Sequence, residues 1–416
     1  MSKLLEQINT ENRTQLVLSD YIKIKHGFAF KGEHFSVQPT LDILVTPGNF
    51  AIGGGFKADK FKYYKGSVPE AYVLKADDVV VTMTDLSVDA DTLGYSALIP
   101  HYEKHRFLHN QRVGLVQKKK EGIDFGYLYY LMRTRPYQKY VVSTASGSTV
   151  KHTSPDRITG YEYDFPSLPT QKKIAEILSA YDAKIENNNE IINNLETTSK
   201  TIFDEWFVNF RFPGYQEVKT IDSEIGEIPE SWSVGKISDF GNVVCGKTPS
   251  KSQPEYFGGE IPFIKIPDMH GQMFIVDTQD SLTKAGVNTQ KNKLVPEGSI
   301  CVSCIATVGL VSITTTDSQT NQQINTVVPK NKESTEYLYF VLVNKKSDLE
   351  AIGSGGSTTL NVNTSVFSDL EVLVPDMKII KLFHRIVIPL FEKTKQLITE
   401  NISLRESRNK LLTKLI

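Results

Sequence analysis

The stretch LPTQKKIAEILSAYDAKIENNNEIINNLETTSKTIFDEWF, at residues 168–207, carries the pattern that decides the fold. Its apolar residues recur at alternating intervals of four and three: Ile174, Leu178, Tyr181, Ile185, Ile192, Leu195, Ile202 and Trp206. Asn188 and Ser199 fill the remaining positions of this stripe. The heptad spacing predicts a helix from about Thr170, a suitable N-cap, to about Phe207, with one face against a partner helix. Pro213-Gly214 then ends the segment.

A second stripe of the same kind lies at the end of the chain. Its members are Phe383, Leu390, Leu397, Leu404 and Leu411, seven apart, with Val387, Thr394, Asn401, Arg408 and Leu415 between them. Pro389 predicts a kink in this helix or marks its true start. Asn188 and Asn401 each fall on a stripe, where a buried polar residue can fix register and strand number. Two stripes of similar length favour a helix pair over two plain amphipathic helices, each packed on its own domain.

The sequence is also internally duplicated, because residues 110–196 and 321–404 show the same order of features. The matching pairs are Asn110-Gln111 with Asn321-Gln322, Tyr127-Leu128-Tyr129-Tyr130 with Tyr337-Leu338-Tyr339-Phe340, Ser146-Gly147-Ser148-Thr149 with Gly355-Gly356-Ser357-Thr358, and Leu168-Pro169 with Val374-Pro375. A repeat of about two hundred residues is too long for a solenoid unit and corresponds to a domain plus a helix.

These two observations together predict the fold. The second helix leaves the second domain, so it can pair with the first helix only in the antiparallel direction. We predict an α+β protein with a pseudo-two-fold internal duplication. Two similar domains, residues 1–168 and 213–374, are separated by two long antiparallel coiled-coil helices, residues 169–212 and 375–416. Within the domains, β-rich runs predict strands at 72–74, 79–81, 112–116, 261–264 and 300–303, and short helices are predicted at 126–140 and 337–352.

Composition excludes several classes of protein. The 416 residues, 40% hydrophobic and 23% charged, fit two or three soluble globular domains. Three cysteines exclude a disulfide scaffold and fit a reducing cytoplasm, and neither a secretory signal nor a bilayer-spanning run is visible. The net charge of −1 argues against a chain that grips DNA alone. Residues 377–416 nevertheless carry nine Lys/Arg against three Glu, so this helix could face phosphate or the more acidic first helix.

Four motifs resemble one family, the specificity subunits of type I restriction–modification systems. They are the run from Leu168 to Glu186, the run from Phe203 to Gly214, the entry Gly226-Glu-Ile-Pro-Glu-Ser-Trp232, and the terminal helix from Glu400 to Ile416. The likeness covers nearly the whole chain. The short tail that often follows the terminal helix in this family is absent from the sequence.

The resemblance implies a function that the residues alone do not give. The two domains would be target-recognition domains, each reading one half of a bipartite, asymmetric site in double-stranded DNA, with the helices setting the spacing. The chain itself would have no catalytic activity. Two methyltransferase subunits, for adenine-N6 methylation, and restriction subunits acting as translocase–endonucleases would be its partners. S-adenosylmethionine, ATP and Mg²⁺ would belong to those partners, in the cytoplasm of a bacterium or archaeon.

The duplication suggests where specificity lies. Features kept in both halves, such as the Asn-Gln pairs and the Ser/Gly/Thr turns, serve the fold or contact phosphates, whereas divergent loops read bases. The candidate DNA-binding residues of the first domain are Lys57, Lys60, Lys62, Thr82, Thr84, Asp85, Ser148, Thr149, Lys151 and His152. Those of the second domain are Lys247, Thr248, Lys251, Lys265, Asp268, Gln272, Ser357 and Thr358. For any single one of them, solvated surface is the plain alternative.

Two rival functions come from other classes. Residues 241–248, Gly-Asn-Val-Val-Cys-Gly-Lys-Thr, match the phosphate-loop pattern G-x-x-x-x-G-K-T and would make the chain a nucleotidase using Lys247. A phosphate loop needs a helix directly after it, and Pro249 to Pro254 does not predict one. The other rival is a coiled-coil adaptor that touches only protein.

Metal sites are weakly indicated. Cys301 and Cys304 form a lone C-x-x-C in an apolar strand, with Cys245 as the third thiol, and structural zinc requires four ligands. His101, His105 and His109 have helical spacing, but Pro100 precedes them and strand-like residues follow. Buried strand cysteines and a polar surface segment are the favoured interpretations, so no metal site is predicted.

Overall fold

The computed structural model describes residue 8 and residues 11–58, 60–87, 89–102, 104–354 and 360–416. Contacts within the chain define two compact units, residues 1–185 with 404–416, and residues 186–403. Each unit contains small sheets, short helices and segments of two long helices. The predicted α+β class with internal duplication is confirmed.

The first unit is built around two sheets. Its strands are β1 (Thr14–Val17), β2 (Ile22–His26), β3 (Phe35–Ser36), β4 (Asp42–Val45), β5 (Lys62–Tyr64), β6 (Val73–Leu74), β7 (Val79–Thr82), β8 (Thr84–Asp85), β9 (Ser96–Leu98), β10 (Arg106–His109), β11 (Val113–Lys118), β12 (Lys151–His152) and β13 (Glu162–Phe165). Its short helices are α1 (Leu18–Tyr21), α2 (Phe125–Leu131), α3 (Arg135–Ser143) and α4 (Pro155–Thr159). One sheet is antiparallel, in the order β2-β11-β7-β9. The other has the order β3-β5-β4-β10-β6 and contains the parallel pair β4 and β10.

The second unit repeats this plan. Its strands are β14 (Thr220–Ser223), β15 (Gly226–Pro229), β16 (Ser233–Lys236), β17 (Gly241–Cys245), β18 (Phe257–Ile264), β19 (Phe274–Ile275), β20 (Asp280–Leu282), β21 (Ile300–Ser303), β22 (Val311–Thr314), β23 (Gln319–Thr320), β24 (Ile324–Pro329) and β25 (Glu371–Val374). Its short helices are α6 (Ile237–Phe240), α7 (Ile266–Met269), α8 (Lys284–Asn288), α9 (Thr335–Asn344), α10 (Lys346–Gly353) and α11 (Thr364–Ser368). The sheets have the orders β17-β24-β21-β22-β19 and β20-β18-β23, the latter with the parallel pair β18 and β23.

The duplication is therefore visible in strand pairing as well as in sequence. In each half one long strand lies between an early strand and an antiparallel strand pair. In the first half β11 lies between β2 and the pair β7 and β9, and in the second half β24 lies between β17 and the pair β21 and β22. A helix pair follows this long strand, α2 with α3 or α9 with α10. The last strand of each half then pairs with a strand near the start of that half, β13 with β1 and β25 with β16. A long helix begins directly after each of these last strands.

Two long helices correspond to the predicted stripes. The first, α5 (Leu168–Phe203), continues into a π-helical turn at Asp204–Val208, and the second, α12, spans Met377–Leu415. The N-cap prediction at Thr170 is wrong, because the amide of Gln171 already donates to the carbonyl of Ser167 and so places the first turn earlier. Pro389 lies inside α12 and does not mark its start.

Each unit places its helical segments against the same part of its own domain. In the first unit, Ile174 and Leu178 of α5 share a core with Tyr127 and with Leu415 of α12. In the second unit, the Phe207 ring lies 4.7 Å from Tyr337 and 5.1 Å from Phe383 of α12. Tyr127 and Tyr337, which match in the sequence repeat, are both almost fully buried. Large aromatic rings at one repeated position explain why this packing recurs, since each buries a large apolar surface.

A polar clasp interrupts the apolar stripe within the second unit. Asn188 Nδ2 donates to Asn401 Oδ1 at 2.9 Å and to a carboxylate oxygen of Glu400 at 3.0 Å. Asn401 Nδ2 donates in turn to Asn189 Oδ1 at 2.9 Å. Asn188 and Asn401 are both buried. A shift of one turn along either helix would separate the groups that form these hydrogen bonds, so the clasp fixes the register of the two helices.

Breaking the clasp on one side only should destabilise the second unit. We expect Asn188→Leu to cost about 1–3 kcal/mol, because Asn401 loses a buried hydrogen-bond donor. Asn188→Leu/Asn401→Leu should recover most of that loss, since both polar groups leave together. Urea unfolding of the wild type, both single variants and the double variant measures the coupling. If the double variant lost as much stability as the two single variants together, the two asparagines would not be coupled and the clasp would not act as one unit.

Candidate nucleic-acid interface

A short ribbon brings together candidate residues that are far apart in the sequence. β8 pairs antiparallel with β12, so that Lys151 lies opposite Asp85 and His152 lies opposite Thr84. The Thr84 hydroxyl is 3.2 Å from Nδ1 of His152. The ribbon therefore gathers hydroxyl, ammonium and imidazole groups in one place, as contacts to phosphates and base edges require.

The turn that enters β12 is tight and polar. Ser148 and Thr149 are both exposed on it. Gly147 has a φ of 96°, and a Cβ there would lie 2.0 Å from the carbonyl oxygen of Val150. Only glycine fits this position, so the turn presents its hydroxyls from a fixed backbone. The matching candidates of the second half, Ser357 and Thr358, lie outside the described residues.

Three candidates of the first domain, Thr82, Thr84 and Asp85, are buried and are not available for base contacts in this conformation. Thr82 is fully buried, and its hydroxyl donates to the carbonyl of Thr92 at 2.6 Å. Asp85 is 4% exposed and accepts hydrogen bonds from the Thr92 hydroxyl and from the amides of Ser87 and Thr92. Burial alone would raise the pKa of Asp85, but these hydrogen bonds outweigh it and hold the pKa below its usual range. Thr82 and Asp85 hold Ser87 or Thr92 in place through these hydrogen bonds and do not project into solvent.

The lysines of the first domain lie on an exposed segment held by a residue that sequence reasoning missed. Lys57, Lys60 and Lys62 are exposed, and Lys62 Nζ lies 4.9 Å from the centroid of the Phe35 ring. Asn49, which is 1% exposed, donates through Nδ2 to the carbonyls of Lys57 at 3.3 Å and Lys60 at 3.1 Å. The sequence signal for this role was Thr46-Pro-Gly-Asn49, a turn with an asparagine that can cap it.

The loop after β17 carries three candidates of the second domain. The backbone of Lys247 is tied on both sides: its amide donates to Thr320 at 2.9 Å, and its carbonyl accepts from Gln290. The Thr248 hydroxyl donates to Gln322 Oε1 at 2.7 Å. Lys247 and Lys251 are exposed. A fixed backbone with exposed lysines is the arrangement expected at a DNA backbone.

The remaining candidates of the second domain surround α7. Lys265 forms an ion pair with Asp280, and its amide donates to Asp268 Oδ2 at 2.8 Å. The other oxygen of Asp268 accepts from the amide of Gln279 at 3.0 Å. Gln272 is exposed. Asp268 thus closes a loop, and Gln272 lies on the loop that it closes.

The phosphate-loop pattern does not fold as a phosphate loop. Residues 241–245 form β17, which pairs with residues 325–329 of β24. A phosphate loop requires these residues to wrap around an anion and to lead into a helix. The next described elements are a short 3-10 turn at Pro254–Tyr256 and strand β18. The letters of the motif therefore match by coincidence.

The cysteine and histidine candidates have structural roles. Cys301 and Cys304 are buried, and burial raises the pKa of their thiols to about 12 and about 11, respectively. His109 is buried in β10 and its Nε2 lies 2.8 Å from the carbonyl oxygen of Val113. Within the described ranges, no cluster of three or more His, Cys, Asp or Glu residues could hold a metal ion.

The repeated asparagines make the same local contact in both halves. Asn110 Oδ1 accepts from the amide of Arg112 and Asn321 Oδ1 accepts from the amide of Gln323, each at 3.1 Å. A Cβ at Gly27 or Gly246 would come within 2.1 Å of the carbonyl oxygen of the corresponding asparagine. The asparagine turn and the facing glycine therefore form a duplicated structural element.

Two copies of one α+β domain, each with its own exposed polar loops and each followed by a long helix, define a protein with two similar binding surfaces. The chain matches the family Type I restriction modification DNA specificity domain over residues 20–197 and again over residues 229–403. It therefore belongs to that family. In the part of the chain that the structure describes, no helix combines the length and apolarity needed to cross a membrane.

Similar proteins of known name agree with this assignment. The HindI specificity subunit of Haemophilus influenzae is 36% identical over an alignment of 340 residues, and the match covers 68% of this chain and 74% of that protein. The MjaIX specificity subunit of Methanocaldococcus jannaschii is 27% identical over 304 residues, or 71% and 69% of the two chains. The crystal structure of a type I S subunit from M. genitalium has the same fold, with a TM-score of 0.60 at 16% identity, over 98% of this chain and 97% of that one.

Proposed function

We propose that this chain is the DNA-recognition subunit of a type I restriction–modification complex and reads a bipartite, asymmetric site. The observation that carries the proposal is the presence of two specificity domains in one chain, matched over residues 20–197 and 229–403. The two domains share a frame, but their exposed loops differ in sequence. Two different half-sites follow from two different reading surfaces.

The chain acts through partners and has no catalytic role of its own. Two methyltransferase subunits and the restriction subunits associate with it in the cytoplasm of a bacterial or archaeal cell. S-adenosylmethionine, ATP and Mg²⁺ are bound by those subunits, which carry out adenine-N6 methylation and DNA cleavage. The net charge of −1 supports this division of labour, because a nearly neutral chain gains little from phosphate attraction alone.

The exposed candidates, together with the half-buried Lys151, are those we assign to DNA. In the first domain these are Lys57, Lys60, Lys62, Ser148, Thr149, Lys151 and His152, and in the second Lys247, Lys251 and Gln272. Lysines and hydroxyls suit phosphate oxygens, whereas Gln272 and His152 can also bond base edges. Thr84, Thr248, Lys265 and Asp268 already bond within the chain and support their neighbours.

Mapping of DNA methylation tests the proposal. The chain is expressed with its cognate methyltransferase subunit in a host that lacks type I systems, and N6-methyladenine is mapped by single-molecule sequencing. We expect methylation at one split, asymmetric motif, and none when this chain is omitted. A copurifying complex that leaves the genome unmethylated, or that methylates without a split motif, would contradict the proposed function.

A further inference from the structure

The two domains share a turn that was not recognised as part of the sequence repeat. It follows β4 in the first half and β18 in the second, the strands that form parallel pairs with β10 and β23. Asn49 Oδ1 accepts from the amide of Thr46 at 2.9 Å, and Asp268 Oδ2 accepts from the amide of Lys265 at 2.8 Å. The next residue is apolar and buried in both halves, Phe50 or Met269.

The same turn residue also closes the loop that follows. Asn49 donates to the carbonyls of Lys57 and Lys60, and Asp268 accepts from the amide of Gln279. The two loops, residues 50–57 and 269–279, are thus held at their entry and their return by one buried or half-buried side chain each. The entry turns of the two loops match although the loop sequences are unrelated, and the second loop also contains β19.

Both loops also contact the strand that lies beside β7 or β21 in its sheet, β9 in the first domain and β22 in the second. The amide of Gly55 donates to the carbonyl of Ser96 in β9 at 2.8 Å. In the second domain, the amide of Ile313 in β22 donates to the carbonyl of Met273 at 2.7 Å, and the Ser312 hydroxyl donates to the carbonyl of Gln272 at 2.7 Å. β9 and β22 occupy matching places beside β7 and β21.

The loop of the first domain is held especially rigidly. Gly53, Gly54 and Gly55 have φ values of 83°, 79° and 99°, which favour glycine. A Cβ on Gly54 would lie 2.5 Å from Cγ of Arg133, a buried residue whose Nε donates to the carbonyl of Gly53 at 3.2 Å. An apolar side chain, Ile52, nevertheless points outward at the tip with 73% of its surface exposed.

Shared frames with different tips are the arrangement that two half-sites require. The tip is Ile52 in the first domain and His270-Gly271-Gln272, all exposed, in the second. An aliphatic side chain can contact a thymine methyl group, and a glutamine can bond adenine through its amide. Residues 57–65, directly after the first loop, contain four lysines and one aspartate, so the apolar tip lies beside a segment suited to phosphates.

We propose that these two loops are the base-reading elements of the two domains, with Ile52 and Gln272 as the specificity-determining residues. Ile52 makes an apolar contact with a base in the major groove, and Gln272 makes hydrogen bonds to a base edge. The lysines at 57–65 contact the adjacent phosphates. This inference rests on the proposed function and assigns each half-site to one loop.

Single substitutions at the tips test it by methylation mapping in the complex with the methyltransferase subunit. We expect Ile52→Ala to raise methylation about fivefold at sites with a wrong base at one position of one half-site. We expect Gln272→Ala to do the same, about tenfold, at one position of the other half-site. The untouched half-site of each variant serves as an internal control for folding and assembly.

Matched controls are available in each domain. Val37→Ala removes an aliphatic side chain that is 93% exposed elsewhere in the first domain, and Gln253→Ala removes an exposed glutamine from the segment between β17 and β18 of the second. Both should leave the motif unchanged. The inference is overturned if the tip variants keep the wild-type motif, if both alter the same half-site, or if only the controls relax it.

A protein contact is the competing assignment for the exposed Ile52. If Ile52→Ala lost copurification of the methyltransferase subunit while the residual methylation kept its motif, the loop would be a docking element and the inference would fail. The wild-type motif reports on the proposed function itself, and the difference between wild type and variant reports on the loops. The two ideas therefore fail separately.

Discussion

Asp182→Ala should destabilise the first unit by about 3 kcal/mol, because it leaves two largely buried guanidinium groups without a counter-charge. Asp182 Oδ2 accepts from Arg133 Nη1 at 3.2 Å and from the Tyr130 hydroxyl at 2.6 Å, while Oδ1 accepts from Arg408. The side chains of Arg133 and Arg408 are only 4% and 14% exposed. The carboxylate itself is 28% exposed, which places the effect at the lower end of the range for broken buried ion pairs.

Urea unfolding followed by circular dichroism measures this effect. Glu176→Ala, which removes an exposed acidic residue of the same helix within the first unit, is the matched control and should change stability by less than about 0.5 kcal/mol. The double variant Asp182→Ala/Arg408→Ala should lose less stability than the two single variants together. It removes Arg408 as well, so only Arg133 is left without its counter-charge. If Asp182→Ala behaved like Glu176→Ala, solvent would be compensating the two arginines, and no buried network would exist.

The sequence contained enough information for the long helices and for the duplication. Heptad spacing follows from burial on one face, so Ile174, Leu178 and Ile185 could be identified as buried without knowledge of their partner. The start of α5 was misplaced because a helix terminus depends on local hydrogen bonds, here from Gln171 to Ser167, that compete with the cap expected at Thr170. The polar members of the stripe, Asn188 and Asn401, were predicted at seam positions, and the structure brings them together.

The candidate binding residues were harder to predict, because exposure depends on the return of distant chain segments. Thr82 and Asp85 have the composition of a polar loop, but Thr92 and Gly94 fold back over them and use their oxygens. Ile52 was overlooked for the opposite reason. Apolar residues are expected inside, and its exposure follows only from three consecutive glycines with positive φ values.

The stability of the first unit should also fall as the pH decreases from about 6.5 to about 4, because His109 is buried in its neutral form. Burial lowers the pKa of His109 to about 4, with smaller contributions from the nearby Lys25 and His26, although the hydrogen bond to Val113 opposes the shift. Between about pH 6.5 and pH 4, His109 is therefore protonated in the unfolded chain but neutral in the folded state, so protonation favours unfolding. Stability is fully retained above about pH 6.5 and declines until the folded form also titrates near pH 4.

The expected loss over that window is about 3 kcal/mol, at 1.36 kcal/mol per pKa unit. His109→Gln keeps a donor for the Val113 carbonyl but cannot take up a proton, so its unfolding free energy should vary less with pH over this range. His101→Gln, which replaces an exposed histidine on the same segment, should keep the wild-type pH dependence. Urea unfolding at pH 7.0, 5.5 and 4.5 distinguishes the two variants. If the wild type and His109→Gln showed equal slopes, groups other than His109 would dominate acid unfolding, and His109 would accept its proton within the fold. The structure argues against that outcome, because the buried Nδ1 of His109 has no hydrogen-bond partner to solvate the added proton.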